Sequence, residues 1–189
     1  MAGSTTLKAF LTKQKIKFRS KKHPLAYTAQ EIAAAQHVPG RQLAKCVVVN
    51  TNKGRCLAVL PAIQRVDFAK LKTLLKVTKL NLASEADIKA TFPDAEVGAM
   101  SVFGTLYHVP VAVEKRLTES EEIVCNAGTH TETVALRYKD FARIVKPRVG
   151  SFGVSATPPP KPAKKPTTSK AKAAKRGARP TRRGFSSRR

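Results

Sequence analysis

Along most of the chain the apolar residues alternate between helical spacing and short strand-like runs, which predicts a mixture of helices and strands. Leu7, Phe10 and Leu11 fall on one helical face and mark a first helix. Ile16 to Arg19 reads as a short strand, and KKHPLAY turns at His23-Pro24. Thr28-Ala-Gln-Glu31 is a capping box opening a helix with Ile32 and Ala35, which stops at Val38-Pro39-Gly40. Two apolar runs, LAKCVVVN and RCLAVLP, flank Thr51-Asn52-Lys53-Gly54. Asn and Gly tolerate positive φ, so this is a β-hairpin.

Asp67 can cap a helix whose buried face carries Phe68, Leu71, Leu74 and Leu75, and Ser84-Glu-Ala-Asp87 opens a shorter one ending before Pro93. Val77 to Leu82 between them reads as a strand. After the irregular stretch Glu96 to Tyr107 come strands at Pro110 to Glu114, Glu122 to Asn126 and Thr133 to Arg137, then a helix from Asp140 to Val145. Hairpin-linked strands outnumber βαβ crossovers. The expected fold is therefore mixed α+β, with a largely antiparallel, barrel-like mixed sheet and flanking helices.

Composition changes this picture at the end of the chain. From Ser151 onward the residues are Pro, Ala, Ser, Thr, Lys and Arg, with Phe152, Val154 and Phe185 the only apolar anchors beyond alanine and proline. Such a segment buries too little to offset ordering, so a domain at 1–150 and a disordered basic tail at 151–189 are expected. Charge follows the same division. All 12 acids of the chain lie between Glu31 and Asp140, whereas the tail contributes twelve Lys and Arg to a net charge of +24. An acidic partner is implied.

No apolar run is long enough to span a bilayer. The N-terminus lacks the apolar core of a secretory signal; its acid-free, hydroxyl-rich character also suits a transit peptide, but the helical spacing favours a folded first helix and a cytoplasmic location. Cys46, Cys56 and Cys125 form no C-x-x-C pair, and the four histidines show no ligand spacing, so neither metal nor cofactor is expected. The G-x-S-x-G elbow and the phosphate-binding P-loop are missing too, so a hydrolase built on this chain works without a side-chain nucleophile.

Five segments, HPLAYTAQEIA, LAKCVVV, EVGAMSVFG, YHVPVAVEK and IVCNAGTHTETVALRYKDF, occur in the order found in one family. Across roughly residues 5–150 the chain resembles the YbaK/prolyl-tRNA synthetase-associated editing domain superfamily, which hydrolyses the ester of mischarged aminoacyl-tRNA. That resemblance implies a trans-acting deacylase whose substrate is the aminoacylated 3′ end of tRNA. It assigns Lys45 to the terminal phosphate or the aminoacyl group, and the loop bounded by Gly98 and Gly104, with Ala99, to the carbonyl and the attacking water. It also implies a pocket formed by His23, Met100, Ser101, Val102, Phe103, Gly128, Thr129 and His130. Water activation in the family rests on backbone groups and the substrate's ribose hydroxyl. Val102 stands where the family's loop carries proline.

For tRNA backbone contacts the basic residues Lys13, Lys15, Lys17, Arg19, Lys72 and Lys76 are available, with Lys164, Lys165, Lys175, Arg176, Arg182 and Arg183 in the tail. Taken singly, each of the six before the tail suits a solvated helix face, whereas the tail's twelve positive charges without one acid do not. The tail reads charge rather than sequence and suits RNA and DNA alike. The competing expectation is a non-catalytic RNA- or DNA-binding protein on a degenerate editing fold.

Overall fold

The computed structural model describes residues 3–156. The first helix, α1, spans Gly3–Lys13 and buries Leu7 and Leu11. The strand after it, β1, covers Phe18–Lys22, two residues later than its apolar start suggested. Ile16 lies outside the strand because it is drawn into the core.

Local signals determine the next elements. Thr28 accepts from the Glu31 amide and Glu31 from the Thr28 amide, so both halves of the capping box open α2, Ala29–Gln36. Its buried residues are Ile32 and Gln36, while Ala35 faces solvent. Strands β2, Leu43–Thr51, and β3, Gly54–Pro61, form the expected hairpin, with Gly54 at φ +105° in its turn. A short β4, Gln64–Val66, leads to α3, Phe68–Leu75, capped by Asp67. Leu71 is its buried residue, whereas Phe68, expected on the buried face, is 43% exposed because it occupies the first turn. Next come β5, Leu80–Leu82, and α4, Glu85–Thr91, the latter opened by a Ser84/Asp87 capping box.

Beyond the loop, a 3₁₀ turn at Gly104–Tyr107 precedes β6, Val111–Glu114, and another at Lys115–Glu119 precedes β7, Glu122–Thr129. Then follow β8, Glu132–Arg137, α5, Tyr138–Val145, β9, Arg148–Gly150, and β10, Gly153–Ser155. The main sheet runs β1-β8-β7-β2-β3-β6-β9, with β5 also on β2. The pairs β2–β7, β3–β6 and β6–β9 are parallel and the rest antiparallel, so the sheet is mixed and mostly antiparallel. It is not closed into a barrel. No helix among the described residues is long and apolar enough to cross a membrane.

Residues 151–156, assigned from composition to the tail, belong to the folded part. Phe152 is fully buried beside Leu60, Leu71 and Ala112, and β10 pairs with β4. The buried Glu114 carboxylate accepts the Phe152 and Gly153 amides at 2.6 and 2.5 Å. One phenylalanine with a waiting acceptor and a strand partner outweighs the surrounding composition. From residue 157 the tail lies outside the described residues.

The two ends of the domain sequence meet at Glu132 on β8. Its carboxylate accepts from Ser4 and Ser20 and from Lys8 Nζ at 2.6 Å, tying α1 and β1 to the sheet. Burial pushes its pKa up, but the three donors outweigh burial and hold it at about 2, below the ordinary 4.5. Between those values the unfolded chain binds a proton that the folded chain does not, so this contribution to stability is lost as pH falls from 4.5 towards 2. Thermal unfolding followed through that window is expected to fall less steeply for Glu132→Gln than for the wild type. Equal acid slopes would exclude the clamp.

Candidate functional site

In β2 the alternation of a strand sends successive side chains to opposite faces. Ala44 and Val48 enter the main core, where Cys46 also packs, while Leu43 and Val49 enter smaller clusters behind the sheet. Lys45 shares the face of Leu43. It is half-buried, and its Nζ donates to the Ala62 carbonyl at 3.2 Å. Burial lowers its pKa from 10.5, which marks a cation held where water cannot fully solvate it. The Glu114 carboxylate is committed to the Phe152 and Gly153 amides.

The edge of β2 opposite β3 is divided. Leu43 and Ala44 pair with β7, and Val49 to Thr51 pair with β5. Lys45 to Val47 therefore face a breach in the sheet. One step beyond the last β2–β7 pair, the register would bring Lys45 beside Asn126, and there the strands part. The Asn126 Oδ1 is buried without a partner. Sequence offered no sign of Asn126, because an asparagine in a strand becomes conspicuous only when the neighbouring strand departs.

The loop fills this breach. Cys46 Sγ donates to the Met100 carbonyl at 3.3 Å from the β2 side. On the β7 side the Gly128 amide donates to the Ala99 carbonyl at 3.1 Å, and the Glu96 amide to the Gly128 carbonyl at 2.9 Å. Gly98 is exposed at φ +92°, and a Cβ there would lie 3.3 Å from His130 Cε1. Glycine thus serves both the backbone conformation and the close approach of the imidazole. Gly128, at φ +97°, lies so close to Gly3 of α1 that an added Cβ would come within 2.9 Å of its backbone.

His130 is positioned by two bonds. Its amide donates to Glu96 Oε2 at 2.7 Å, and its Nε2 lies 3.0 Å from the Val97 carbonyl. A carbonyl only accepts, so Nε2 carries the proton and Nδ1 is left as a buried acceptor without a partner. His23 repeats the arrangement in reverse, with Nδ1 2.8 Å from the Pro24 carbonyl and Nε2 buried and unpartnered. The two segments are joined where Ala26 N–H donates to the His130 carbonyl. Tyr27 lies over the His130 ring with centroids 4.9 Å apart, yet is 66% exposed. Ala26 and Ala62 share one cluster, so the histidine segment and the Lys45 acceptor flank the same small core.

Met100, Val102 and Phe103 point into the main core rather than to solvent, and Phe103 packs edge-on against Phe141 at 5.4 Å. Val102 is fully buried there. Gly104 has a packing reason of its own, since a Cβ there would collide with the Val109 carbonyl. Ser101 Oγ and Thr129 Oγ1 are buried without partners. Together with Asn126, His23 and His130, they account for five of the eight such atoms among the described residues. Buried polar groups are ordinarily satisfied, so these atoms are candidates for contact with a polar ligand.

Of the expected nucleic-acid contacts, Lys13, Lys15, Lys17, Lys72 and Lys76 are exposed. Arg19 is held by Glu122 at 2.6 Å. The tail residues Lys164, Lys165, Lys175, Arg176, Arg182 and Arg183 lie outside the described residues. The three thiols serve as packing. Burial raises Cys46 and Cys125 to about 12 and Cys56 to about 11, far from reactive thiolates.

Comparison with known proteins matches residues 23–144 to the aminoacyl-tRNA editing domain. The chain is similar to the prolyl-tRNA editing protein ProX of Acetoanaerobium sticklandii, 29% identical over 150 residues covering 76% of this chain and 91% of that one. Among solved structures, a candidate trans-editing enzyme for prolyl tRNA synthetase superposes with a TM-score of 0.73 at 18% identity, covering 82% of this chain and 99% of that one. A scaffold from the computational grafting of linear epitopes superposes with a TM-score of 0.74, also at 18% identity, with the same two coverages. At these identities the structural likeness concerns the fold.

Proposed function

The chain belongs to the aminoacyl-tRNA editing domain family, and from that premise we propose that it acts in trans to hydrolyse the ester linking a wrong amino acid to the terminal ribose of tRNA. Water adds to the ester carbonyl, the carbonyl carbon–ribose oxygen bond breaks, and the ribose hydroxyl leaves with a proton, releasing the free amino acid. The observation that carries this reading is the unpartnered, buried Asn126 Oδ1 one register step beyond the last β2–β7 pair, beside Lys45. Such a site has a cation, acceptors and the hydroxyls of Ser101 and Thr129, neither of them hydrogen-bonded to an activating base, which suits attack by water activated through the substrate's own hydroxyl.

In this reading Lys45 holds the terminal phosphate or the aminoacyl oxygen, and the exposed backbone at Gly98 lies against the carbonyl. Nδ1 of His130 and Oδ1 of Asn126 accept from the substrate's donors. Tyr27, exposed over His130, offers a face on which the terminal adenine stacks. Val102, buried in the loop, is the feature that favours the non-catalytic alternative. The basic tail adds RNA affinity without sequence preference, and the protein works beside translation in the cytoplasm.

The test is a panel of tRNAs mischarged with small amino acids, assayed with wild type and with Tyr27→Ala. Wild type is expected to deacylate at least one. Tyr27→Ala should raise KM roughly tenfold, as loss of one base stack of about 1–3 kcal/mol requires, with kcat little changed. A panel left intact by the wild type would sink the deacylase.

A further inference from the structure

A cleft of about 420 Å³ opens where the tip of the β2–β3 hairpin meets the C-terminal ends of α3 and α5 and the start of β6. Among the described residues, the cations Lys53, Arg55, Lys146 and Arg148 line it and no acid does. Arg55 is compensated by Asp87 at 2.6 Å. The others are not: Lys53 donates to the Lys76 carbonyl at 2.9 Å, and Arg148 to the Leu74 and Leu75 carbonyls at 3.2 and 3.1 Å. Those bonds orient the side chains and leave their charge in place. Lys146 is exposed at the end of α5 in a left-handed conformation. Thr105, also lining the cleft, has a buried hydroxyl without a partner.

We propose that this cleft binds backbone phosphates in the double-helical stem of the tRNA substrate. The inference rests on the deacylase reading for the identity of the RNA and on the cleft itself for the contact. From Lys45 to Thr51 the strand advances six residues, about 20 Å at 3.3 Å each. The aminoacyl end held at Lys45 therefore cannot fill the cleft, while the stem joined to it can. Uncompensated cations on orienting carbonyls, flanked by apolar walls, suit phosphates that contribute charge and no base identity. Lys76, expected from sequence to follow the backbone along α3, is drawn to this same junction through its carbonyl.

The experiment uses the full chain. Binding of unacylated tRNA is measured across salt for wild type, Lys53→Glu/Lys146→Glu and Lys53→Arg/Lys146→Arg, with melting temperatures as folding controls. The glutamate variant is expected to bind on the order of tenfold or more weakly near 0.1 M salt, with the log–log salt slope reduced by about 0.9 for each phosphate that is no longer neutralised. The arginine variant should keep both. Hydrolysis of an aminoacylated CCA trinucleotide, which lacks the stem, should be unchanged in the glutamate variant. In wild type, acetylation of Lys53 and Lys146 should be suppressed by tRNA. Wild-type affinity and slope in the glutamate variant, or undiminished acetylation, would overturn the cleft while leaving the deacylase standing. Weakened binding in a protein that hydrolyses no mischarged tRNA would instead uphold the cleft and remove the deacylase.

Discussion

Lys45→Ala is expected to slow deacylation of the preferred mischarged tRNA by roughly two to three orders of magnitude, the cost of removing one preorganised electrostatic contact from a water-poor site. The expectation follows from where the ammonium lies. It has no carboxylate partner among the described residues, makes one bond to the Ala62 carbonyl, and borders a breach in the sheet. Its energy in the free protein is unfavourable, since burial works against the charge. Alanine should consequently leave the melting temperature unchanged or slightly raised, separating a chemical defect from a folding one. The lowered pKa also has a sign: above it the site loses its cation, so activity should decline at a pH below the 10.5 of an ordinary lysine, after subtraction of spontaneous ester hydrolysis. Wild-type rates in Lys45→Ala would exclude the assignment.

The second large effect concerns stability. Truncation after Gly150 is expected to lower the melting temperature by more than about 10 °C, whereas truncation after Ala156 should leave it nearly unchanged. The shorter chain loses Phe152, a buried phenylalanine whose removal alone costs about 3–5 kcal/mol. It also loses both amides that satisfy Glu114, stranding a buried carboxylate. At roughly 2–4 °C for each kcal/mol in a domain of this size, the first loss alone amounts to about 6–20 °C, and the stranded carboxylate adds to it. Phe152→Ala in the full chain should reproduce much of the fall. Equal melting temperatures for the two truncations would refute the role of β10.

Lys45 and Phe152 stand on opposite sides of what a sequence makes legible. Lys45 and the hairpin around Thr51-Gly54 can be read because their signals are local: a motif, a turn, a strand of uniform character. The capping boxes at Thr28/Glu31 and Ser84/Asp87 are legible for the same reason, being closed within four residues. The strands β4, β9 and β10 are not, since each has three residues and owes its conformation to a partner distant in sequence. Phe152 is visibly apolar yet falls with the tail by composition, because nothing near it reveals that Glu114 awaits its amide. In the site, Gly98, Gly128 and His130 are legible through the motif. Asn126 and Tyr27 escape it, one visible only through strand divergence and the other only through its seat on the imidazole.

The clamp at Glu132 bears on how the chain becomes a protein. Lys8 and its acceptor on β8 are 124 residues apart, and α1 packs against β7. At a synthesis rate of about 5–20 residues per second, α1 leaves the ribosome some 6–25 s before its binding surface exists. During that interval its apolar stripe is exposed to solvent or to a chaperone, so the first helix made is among the later ones to dock.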